Sequence, residues 1–255
     1  MATNTATRLT WLAQPLAFAG EISILFFEAV RRIFKKPFEL KETLDQMAFV
    51  GFASIPIVAM TTFFSGAVMS LYISPLLLKI GAGMMAGGTI TLTVARELAP
   101  VVAGIMVAAR CGSAMAAQIG SMAVTEQLDA LRALSVHPYN YLLVPRFLSG
   151  VLMLPILGLV GVFCGGFGGI VVATLYGIPP LMFLRSIEIW VEPWDWGGGI
   201  IKTAVFGAII SLVACQQGLR TAGGAVGVGK ATTNAVVISM VLIYVVNYFL
   251  AAAFY

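Results

Sequence analysis

Three long stretches without a charged residue constrain this chain more than any other feature of its sequence. No Asp, Glu, Lys or Arg occurs between Asp45 and Lys79, between Arg146 and Arg185, or after Lys230. A helix that crosses the hydrocarbon core of a bilayer needs about 20 apolar residues, and each stretch is long enough. Only 10% of all residues are charged, against about 25% in a typical soluble domain. The sequence therefore predicts a membrane protein.

We predict an all-α membrane protein that forms a single domain over residues 1–255. The charge-free stretches each supply one transmembrane helix. Two further spans are apolar except for Arg96 and Glu97 in one and Lys202 near one end of the other. The five predicted transmembrane helices are residues 48–72, 84–110, 147–173, 198–218 and 233–253.

The distribution of Lys and Arg predicts the orientation in the membrane. With the N-terminus in the cytoplasm, eleven of the 15 basic residues lie in cytoplasmic segments, and only Lys79 and Arg185 lie in outer loops. Cytoplasmic segments carry an excess of Lys and Arg in membrane proteins. The N-terminus is therefore predicted inside and the C-terminus outside. The absence of a signal or transit peptide pattern favours a bacterial inner membrane.

An amphipathic helix is predicted over residues 16–36, before the first span. Its apolar residues recur at helical spacing, and its charged residues gather on the other side. Such a helix can lie in the membrane interface with its basic end near anionic headgroups. The alternative is a solvated helix that packs on a partner protein. The apolar positions are Phe18, Ile22, Leu25, Ala29 and Ile33, and the charged ones are Glu21, Glu28, Arg32 and Lys35.

Arg96 and Glu97 lie inside the second predicted span, where charges are costly unless they are paired or face a cavity. Pro100 cannot donate a hydrogen bond to the carbonyl of Arg96, and its ring crowds that carbonyl. We therefore expect the helix to loosen where the two charges lie. The pair has either a functional role or a structural one, in which it joins this helix to a neighbour.

Small residues recur at every fourth position in two spans, a pattern that lets helices approach closely in lipid. They serve either packing within the chain or a seam between two copies. The first ridge is Gly104, Ala108, Gly112, Ala116 and Gly120, and the second is Gly161, Gly165, Gly169 and Ala173.

A polar helix follows the second span. Thr125 is predicted as its N-cap, with Glu126 and Asp129 in the first turn and Arg132 further along. A short amphipathic helix between two spans can rest against a cytoplasmic partner or serve only as a connector.

Enzyme signatures are absent. The segment 224–231 (GAVGVGKA) nearly matches a phosphate-binding loop, but Ala231 replaces the Ser or Thr that would bind Mg²⁺. HExxH and GxSxG motifs are missing. Cys111, Cys164 and Cys215 form no CxxC pair and lie in or beside apolar segments, so neither a disulfide framework nor a metal site is expected. The basic residues are spread over several loops, which gives no indication of nucleic-acid binding.

The stretch from residue 95 to residue 147 resembles the MlaE/YrbE-type permeases. The resemblance rests on R-E-L-x-P-V-V at its start, R-x-G-S-A in the middle, T-E-Q-x-D-A-L in the polar helix and P-R-F at its end. The later GVGKATTNAVV, the chain length and the N-terminal amphipathic helix are also similar to this family. The resemblance therefore covers nearly the whole chain.

This resemblance implies a homodimeric permease that works with a cytoplasmic ABC ATPase, which would hold ATP and Mg²⁺ in place of this chain. It also implies an MCE-domain protein outside the membrane, and we expect a small accessory protein on the ATPase. The implied cargo is phospholipid or a related lipid, moved between inner and outer membranes. A stand-alone secondary transporter or channel for a hydrophobic substrate is the alternative function.

The resemblance also implies roles for particular residues. Residues 121–135 become a coupling helix, in which Glu126, Gln127, Asp129 and Arg132 contact the ATPase. Glu97 falls at an acidic position near the lipid cavity. Many relatives carry an acid where this chain has Gln118.

A lipid cavity is predicted between the two copies of the permease. Acyl chains need an apolar lining and a headgroup needs a few polar anchors. Arg96 is the predicted partner of a lipid phosphate through charge-assisted hydrogen bonds, and Glu97 would position that arginine, contact a neighbouring helix or gate lipid entry. The predicted apolar walls are Met69, Leu71 and Tyr72 of the first span and Tyr244 and Tyr248 of the fifth.

Overall fold

The chain is folded almost entirely into helices. The computed structural model describes the backbone of residues 3–33, 39–134 and 138–255, and the side chains from residue 16 onward within those ranges. No strand occurs in the described ranges. The helices are α1 Thr3–Ile33, α2 Leu40–Val50, α3 Ile55–Lys79, α4 Ala86–Thr93, α5 Ala99–Val107, α6 Ser113–Val124, α7 Gln127–Ala133, α8 Val144–Leu175, α9 Pro180–Trp190, α10 Pro193–Leu219 and α11 Gly224–Phe254.

Five helical segments are long and apolar enough to cross a bilayer, which confirms the predicted number of spans. Each contains one predicted span and extends beyond it, because polar residues at the ends continue the helix past the charge-free stretch. Spans one to five are Leu40–Lys79 (α2 and α3), Gly83–Val124 (α4 to α6), Tyr139–Leu175 (α8), Pro193–Leu219 (α10) and Gly224–Phe254 (α11).

The connections between spans define two ends of the bundle. Residues 80–82 join spans one and two, and α9 joins spans three and four. These connections lie at the end where the chain finishes at Tyr255, which we call the α9 end. The links α7 and 220–223 lie at the opposite end, which we call the α7 end. Because the spans alternate in direction, α1 also lies at the α7 end.

Glycines bring spans one and three into backbone contact. A Cβ atom on Gly66 would lie 2.0 Å from the carbonyl oxygen of Gly165, and one on Gly168 would lie 2.1 Å from that of Phe63. The ridge of span two packs against side chains instead, since a Cβ atom on Gly104 would lie 3.3 Å from the side chains of Ile243 in α11 and Phe206 in α10. Both small-residue ridges therefore serve packing within the single chain, as the first of the two alternatives predicted.

The N-terminal helix is present but packs differently from the expectation. Leu25 and Ala29 of its predicted apolar stripe are buried against the bundle, beside Phe147 of α8. A second apolar stripe, which includes Ile24 and Phe27, remains exposed. The predicted stripe therefore covers the bundle, and the opposite face is the one available to lipid. The helix begins earlier than predicted, at Thr3, and residues 34–36 lie outside the described part.

The predicted coupling helix over residues 121–135 is not one continuous helix. Residues 121–124 end α6, and Thr125 closes that helix, because its hydroxyl donates to the carbonyl of Ser121 over 2.8 Å. Glu126 then takes a left-handed conformation with φ 59°, and α7 starts at Gln127. The prediction of Thr125 as an N-cap is therefore wrong. Residue 135 lies outside the described ranges.

Candidate functional site

The helix of span two loosens where its two charges lie. Residues Val94–Leu98 form a π-helical turn that ends two residues before Pro100. Proline has no N–H to offer the Arg96 carbonyl. The Nζ atom of Lys202 in α10 donates to this carbonyl over 2.9 Å. A side chain from span four thus supplies a hydrogen bond where the proline of span two has none.

Glu97 joins span two to spans four and five. Its Oε1 atom accepts from Nζ of Lys202 over 2.7 Å, and its Oε2 atom accepts from Nδ2 of Asn247 over 2.7 Å. The Lys202 side chain is 0% exposed, whereas that of Glu97 is 39% exposed. The ammonium group therefore depends on Glu97 for its compensating charge, while the carboxylate keeps access to its surroundings.

Arg96 pairs with Asp195 in the first turn of α10. The Oδ1 atom of Asp195 accepts from Nε of Arg96 over 2.7 Å and lies 2.6 Å from its Nη2. The other oxygen of Asp195 accepts from the backbone N–H of Glu192 over 2.8 Å, which completes a capping box at the start of the helix. Asp195 thus orders the beginning of span four and holds Arg96 at the same time.

The final residue, Tyr255, covers this cluster. The centre of its ring lies 4.1 Å from the Arg96 guanidinium carbon and 5.3 Å from Nζ of Lys202, within the range of cation–π attraction. Burial raises the pKa of its phenol above the ordinary value of 10.0; Arg96 opposes this shift, and Asp195 and Glu97 add to it. The phenol therefore stays neutral at any physiological pH.

We call Arg96, Glu97, Asp195, Lys202, Asn247 and Tyr255 the ion-pair network. Its side chains include two cations and two anions, whose charges balance. It connects three spans and lies level with the first turns of α10 and the end of the chain. It is therefore near the α9 end, whereas the sequence suggested a position deep in span two. An anionic headgroup could bind Arg96 only by competing with Asp195.

Sequence reasoning found Arg96 and Glu97 but missed their partners. A charge inside a span usually has a partner there, so the lone Lys202 of span four was the available signal for Glu97. Asp195 resembled a loop residue, because it follows a proline and lies between two tryptophans. No feature of the sequence around Asn247 or Tyr255 indicated that these residues belong to the network. Arg96 and Glu97 are separated from their hydrogen-bond partners in the network by 99 to 150 positions along the chain.

Four of the five predicted cavity-wall residues are exposed on the surfaces of spans one and five. Leu71, Tyr72, Tyr244 and Tyr248 are exposed, and Met69 is half-buried. They belong to spans one and five, which do not pack extensively against each other in the described part of the chain. The single chain therefore presents these side chains outward rather than enclosing them.

Two further arginines lie toward the α7 end. Arg110 donates to the Phe49 carbonyl over 3.1 Å and to the Ser54 hydroxyl over 2.9 Å, and so holds the bend between α2 and α3. Arg146 is 4% exposed and donates to Gln118 over 3.0 Å. Its Nε atom has no partner among the described residues. Gln118 is neutral, so position 118 offers this buried arginine a hydrogen bond but no counter-charge.

The predicted coupling residues form an exposed surface at the α7 end. Glu126, Gln127, Asp129 and Arg132 are all exposed, and Asp129 accepts from Arg132 over 2.9 Å. On the other side of α7, Leu128 is buried against the bundle. The short helix is therefore anchored by one leucine and presents its polar residues outward.

Comparison with known proteins identifies the family. The sequence model described as "Permease MlaE" matches residues 43–253. The chain belongs to the MlaE permease family. A Rickettsia felis protein named "Probable ABC transporter permease protein" is 41% identical over 237 residues, with 92% of each chain covered. A Synechocystis protein of the same description is 44% identical over 212 residues, covering 83% of this chain and 81% of its own length.

A plant protein is also similar. "Protein TRIGALACTOSYLDIACYLGLYCEROL 1, chloroplastic" of Arabidopsis thaliana is 37% identical over 235 residues, which cover 92% of this chain and 67% of the plant protein. Membership in the MlaE family makes the chain a multi-pass transporter subunit and not an enzyme. The ABC designation of its relatives implies that a separate ATPase drives it. Within the described residues, no cluster of His, Cys, Asp and Glu could hold a metal ion.

Proposed function

We propose that this MlaE-family permease moves phospholipid or a related lipid between the inner and outer membranes of a bacterium. The proposal rests mainly on membership in the MlaE family, together with the plant relative, which is named after a galactolipid. Physical support comes from the exposed surfaces of spans one and five, where aromatic and aliphatic side chains offer contacts for acyl chains.

The cavity in this proposal forms when two copies of the chain bring these surfaces together. Tyr72, Tyr244 and Tyr248 then line its walls, and the ion-pair network lies at its edge near the α9 end. The network is charge-balanced and Arg96 is engaged by Asp195, so we assign Arg96 and Glu97 a gating role in preference to permanent capture of a headgroup. Opening the Arg96–Asp195 pair would free the guanidinium for a lipid phosphate.

The proposed partners occupy opposite ends. The ATPase, which binds ATP and Mg²⁺ and carries the small accessory protein, contacts α7 on the cytoplasmic side. The MCE-domain protein contacts the α9 end on the other side of the membrane. The excess of Lys and Arg in the segments at the α7 end supports this orientation, with the N-terminus inside and the C-terminus outside.

Reconstitution tests this function. The permease and its ATPase would be placed in donor liposomes that contain a labelled phospholipid, and transfer to an acceptor carrying the MCE protein would be followed with and without ATP. The proposal expects ATP-dependent transfer of lipid. Transfer at full rate without the ATPase would instead support a stand-alone transporter, and stimulation of ATP hydrolysis by a water-soluble solute but not by lipid would contradict the lipid assignment.

A charge reversal tests the ATPase contact. The double variant Glu126→Lys and Asp129→Lys should weaken co-purification of the ATPase or uncouple ATP hydrolysis from transfer. The matched control is Glu39→Lys with Asp45→Lys, which makes the same charge change at two exposed residues, the N-cap of α2 and a position within that helix. Normal assembly and transfer in the α7 variant would mean that this helix is only a connector.

A further inference from the structure

A groove runs along α9 at the α9 end of the bundle. It lies between α9 and the turn at Gly83–Met85 that begins span two, and its volume is about 380 Å³. Met84, Pro179, Met182 and Ile189 supply apolar walls, while Arg185 and Ser186 are its polar members. The volume lies within the range of small-molecule sites, which is about 300–1,000 Å³.

The wall formed by α9 is fixed in place. Ser186 is buried, and its hydroxyl oxygen accepts from the backbone N–H of Gly88 in α4 over 2.6 Å. Phe183 is also buried, and a Cβ atom on Gly87 would lie 2.1 Å from its carbonyl oxygen. One face of α9 is thus in close contact with span two, and the groove exists without a ligand to form it.

The charge of Arg185 is not compensated by the described residues. Arg185 is exposed, and it makes no ion pair within the part of the chain that the structure describes. Glu188, three residues further along the helix, is not within ion-pairing distance. Trp190 follows at the end of α9 and is also exposed, which suits a helix at the boundary between lipid and water.

We propose that this groove binds one anionic phospholipid from the leaflet at the α9 end. The acyl chain occupies the apolar groove, and the lipid phosphate accepts charge-assisted hydrogen bonds from Arg185. An apolar groove whose lining includes one uncompensated guanidinium complements an amphiphile with a negative headgroup better than either a soluble anion or a neutral lipid. The site is separate from the proposed transport cavity, which lies on spans one and five, and it does not depend on transport.

Photocrosslinking tests the site on the purified full-length protein. A benzophenone amino acid at Ile189, an exposed residue of the groove wall, would be activated in nanodiscs of phosphatidylcholine with increasing phosphatidylglycerol. Mass spectrometry would then count the phosphatidylglycerol attached. We expect saturable labelling by phosphatidylglycerol. Diacylglycerol with the same chains should label weakly because it lacks the phosphate, and glycerol phosphate should not compete because it lacks the chains.

Three variants separate the groove from general surface attraction. Arg185→Gln should lower the apparent affinity about tenfold, the loss expected for one charge-assisted contact, and Arg185→Lys should recover part of it. Met84→Trp fills the groove without a change of charge and should also reduce labelling. The matched control is Lys79→Gln, which removes an exposed positive charge at the same end but outside the groove.

The outcomes that overturn the proposal are specific. Equal losses in Arg185→Gln and Lys79→Gln would mean general electrostatic attraction. Equal labelling by diacylglycerol would remove the phosphate contact, and efficient competition by glycerol phosphate would indicate a soluble-anion site. None of these measurements needs the ATPase, so a failed transfer assay leaves their interpretation unchanged.

Discussion

Lys202 and Glu97 differ in how far their side chains are exposed, and this difference leads to a prediction that their charges alone would not give. The Lys202 ammonium is 0% exposed and lies 2.7 Å from Glu97, whose side chain is 39% exposed. Glu97→Gln leaves the ammonium buried without a counter-charge, and breaking a buried pair in this way costs roughly 3–5 kcal/mol. We therefore expect Glu97→Gln to be the more damaging single change.

Lys202→Met should cost less. Glu97 keeps its hydrogen bond from Asn247 and stays partly exposed, so its carboxylate is not left buried without a partner. The main loss is the hydrogen bond to the Arg96 carbonyl, which Pro100 cannot replace. A buried acceptor left without a donor costs about 1–3 kcal/mol. The double variant leaves no buried charge unpaired and should resemble Lys202→Met alone, so the two changes should couple by about 3–5 kcal/mol, the full cost of Glu97→Gln.

The assay is reversible unfolding of the purified permease in mixed detergent and SDS micelles, followed by circular dichroism. A larger loss in Lys202→Met than in Glu97→Gln, or additive losses in the double variant, would refute the reasoning from burial. Lipid transfer measured on the same variants distinguishes a structural role of Glu97 from a gating role. Stability and transfer equal to those of Lys202→Met in the double variant would indicate a structural network, whereas equal stability with transfer lost in the double variant but kept in Lys202→Met would identify Glu97 as a gate.

Three further predictions follow from single positions. Gly66→Ala should destabilise the protein by about 3 kcal/mol because a Cβ atom there would overlap a backbone carbonyl of α8, whereas Gly166→Ala on the same helix pair, where the space is open, should cost nothing in the same unfolding assay. Gln118→Glu should stabilise by at most about 1 kcal/mol, since it gives Arg146 a counter-charge but position 118 is exposed; a lower stability would contradict that pairing. Glu126→Gly should raise stability by about 1 kcal/mol by relieving the left-handed backbone, and an equal gain from Glu126→Ala would disprove the cause.

The number of spans was predictable because hydrophobic length is a local property. A run such as residues 46–78 has to cross the bilayer whatever its neighbours do. The loosened turn at Arg96 was also predictable, since Pro100 removes a donor four residues away. These features depend on the residues of one helix only.

The partners of those residues were not predictable in the same way. Asp195 and Arg96 are 99 positions apart, and only the packing of span four on span two brings them together. The break before α7 was missed because Thr125 can either cap the following helix or donate back to Ser121, and both uses fit the sequence. The spacing of apolar residues in α1 correctly predicted a helix. Such spacing does not show whether the apolar side packs against lipid or against protein.

The backbone contact between α3 and α8 has a consequence for how the permease changes shape. Where Gly66 meets the carbonyl of Gly165, there are no side chains whose rotamers could absorb a shift. If one helix slid or tilted against the other, main-chain atoms would overlap. Spans one and three therefore have to move as one rigid body. Span five is the least enclosed of the five, with 17% of its most apolar window buried. A change of shape during transport therefore has to occur at other helix contacts, such as those of span five, and not at the glycine contact.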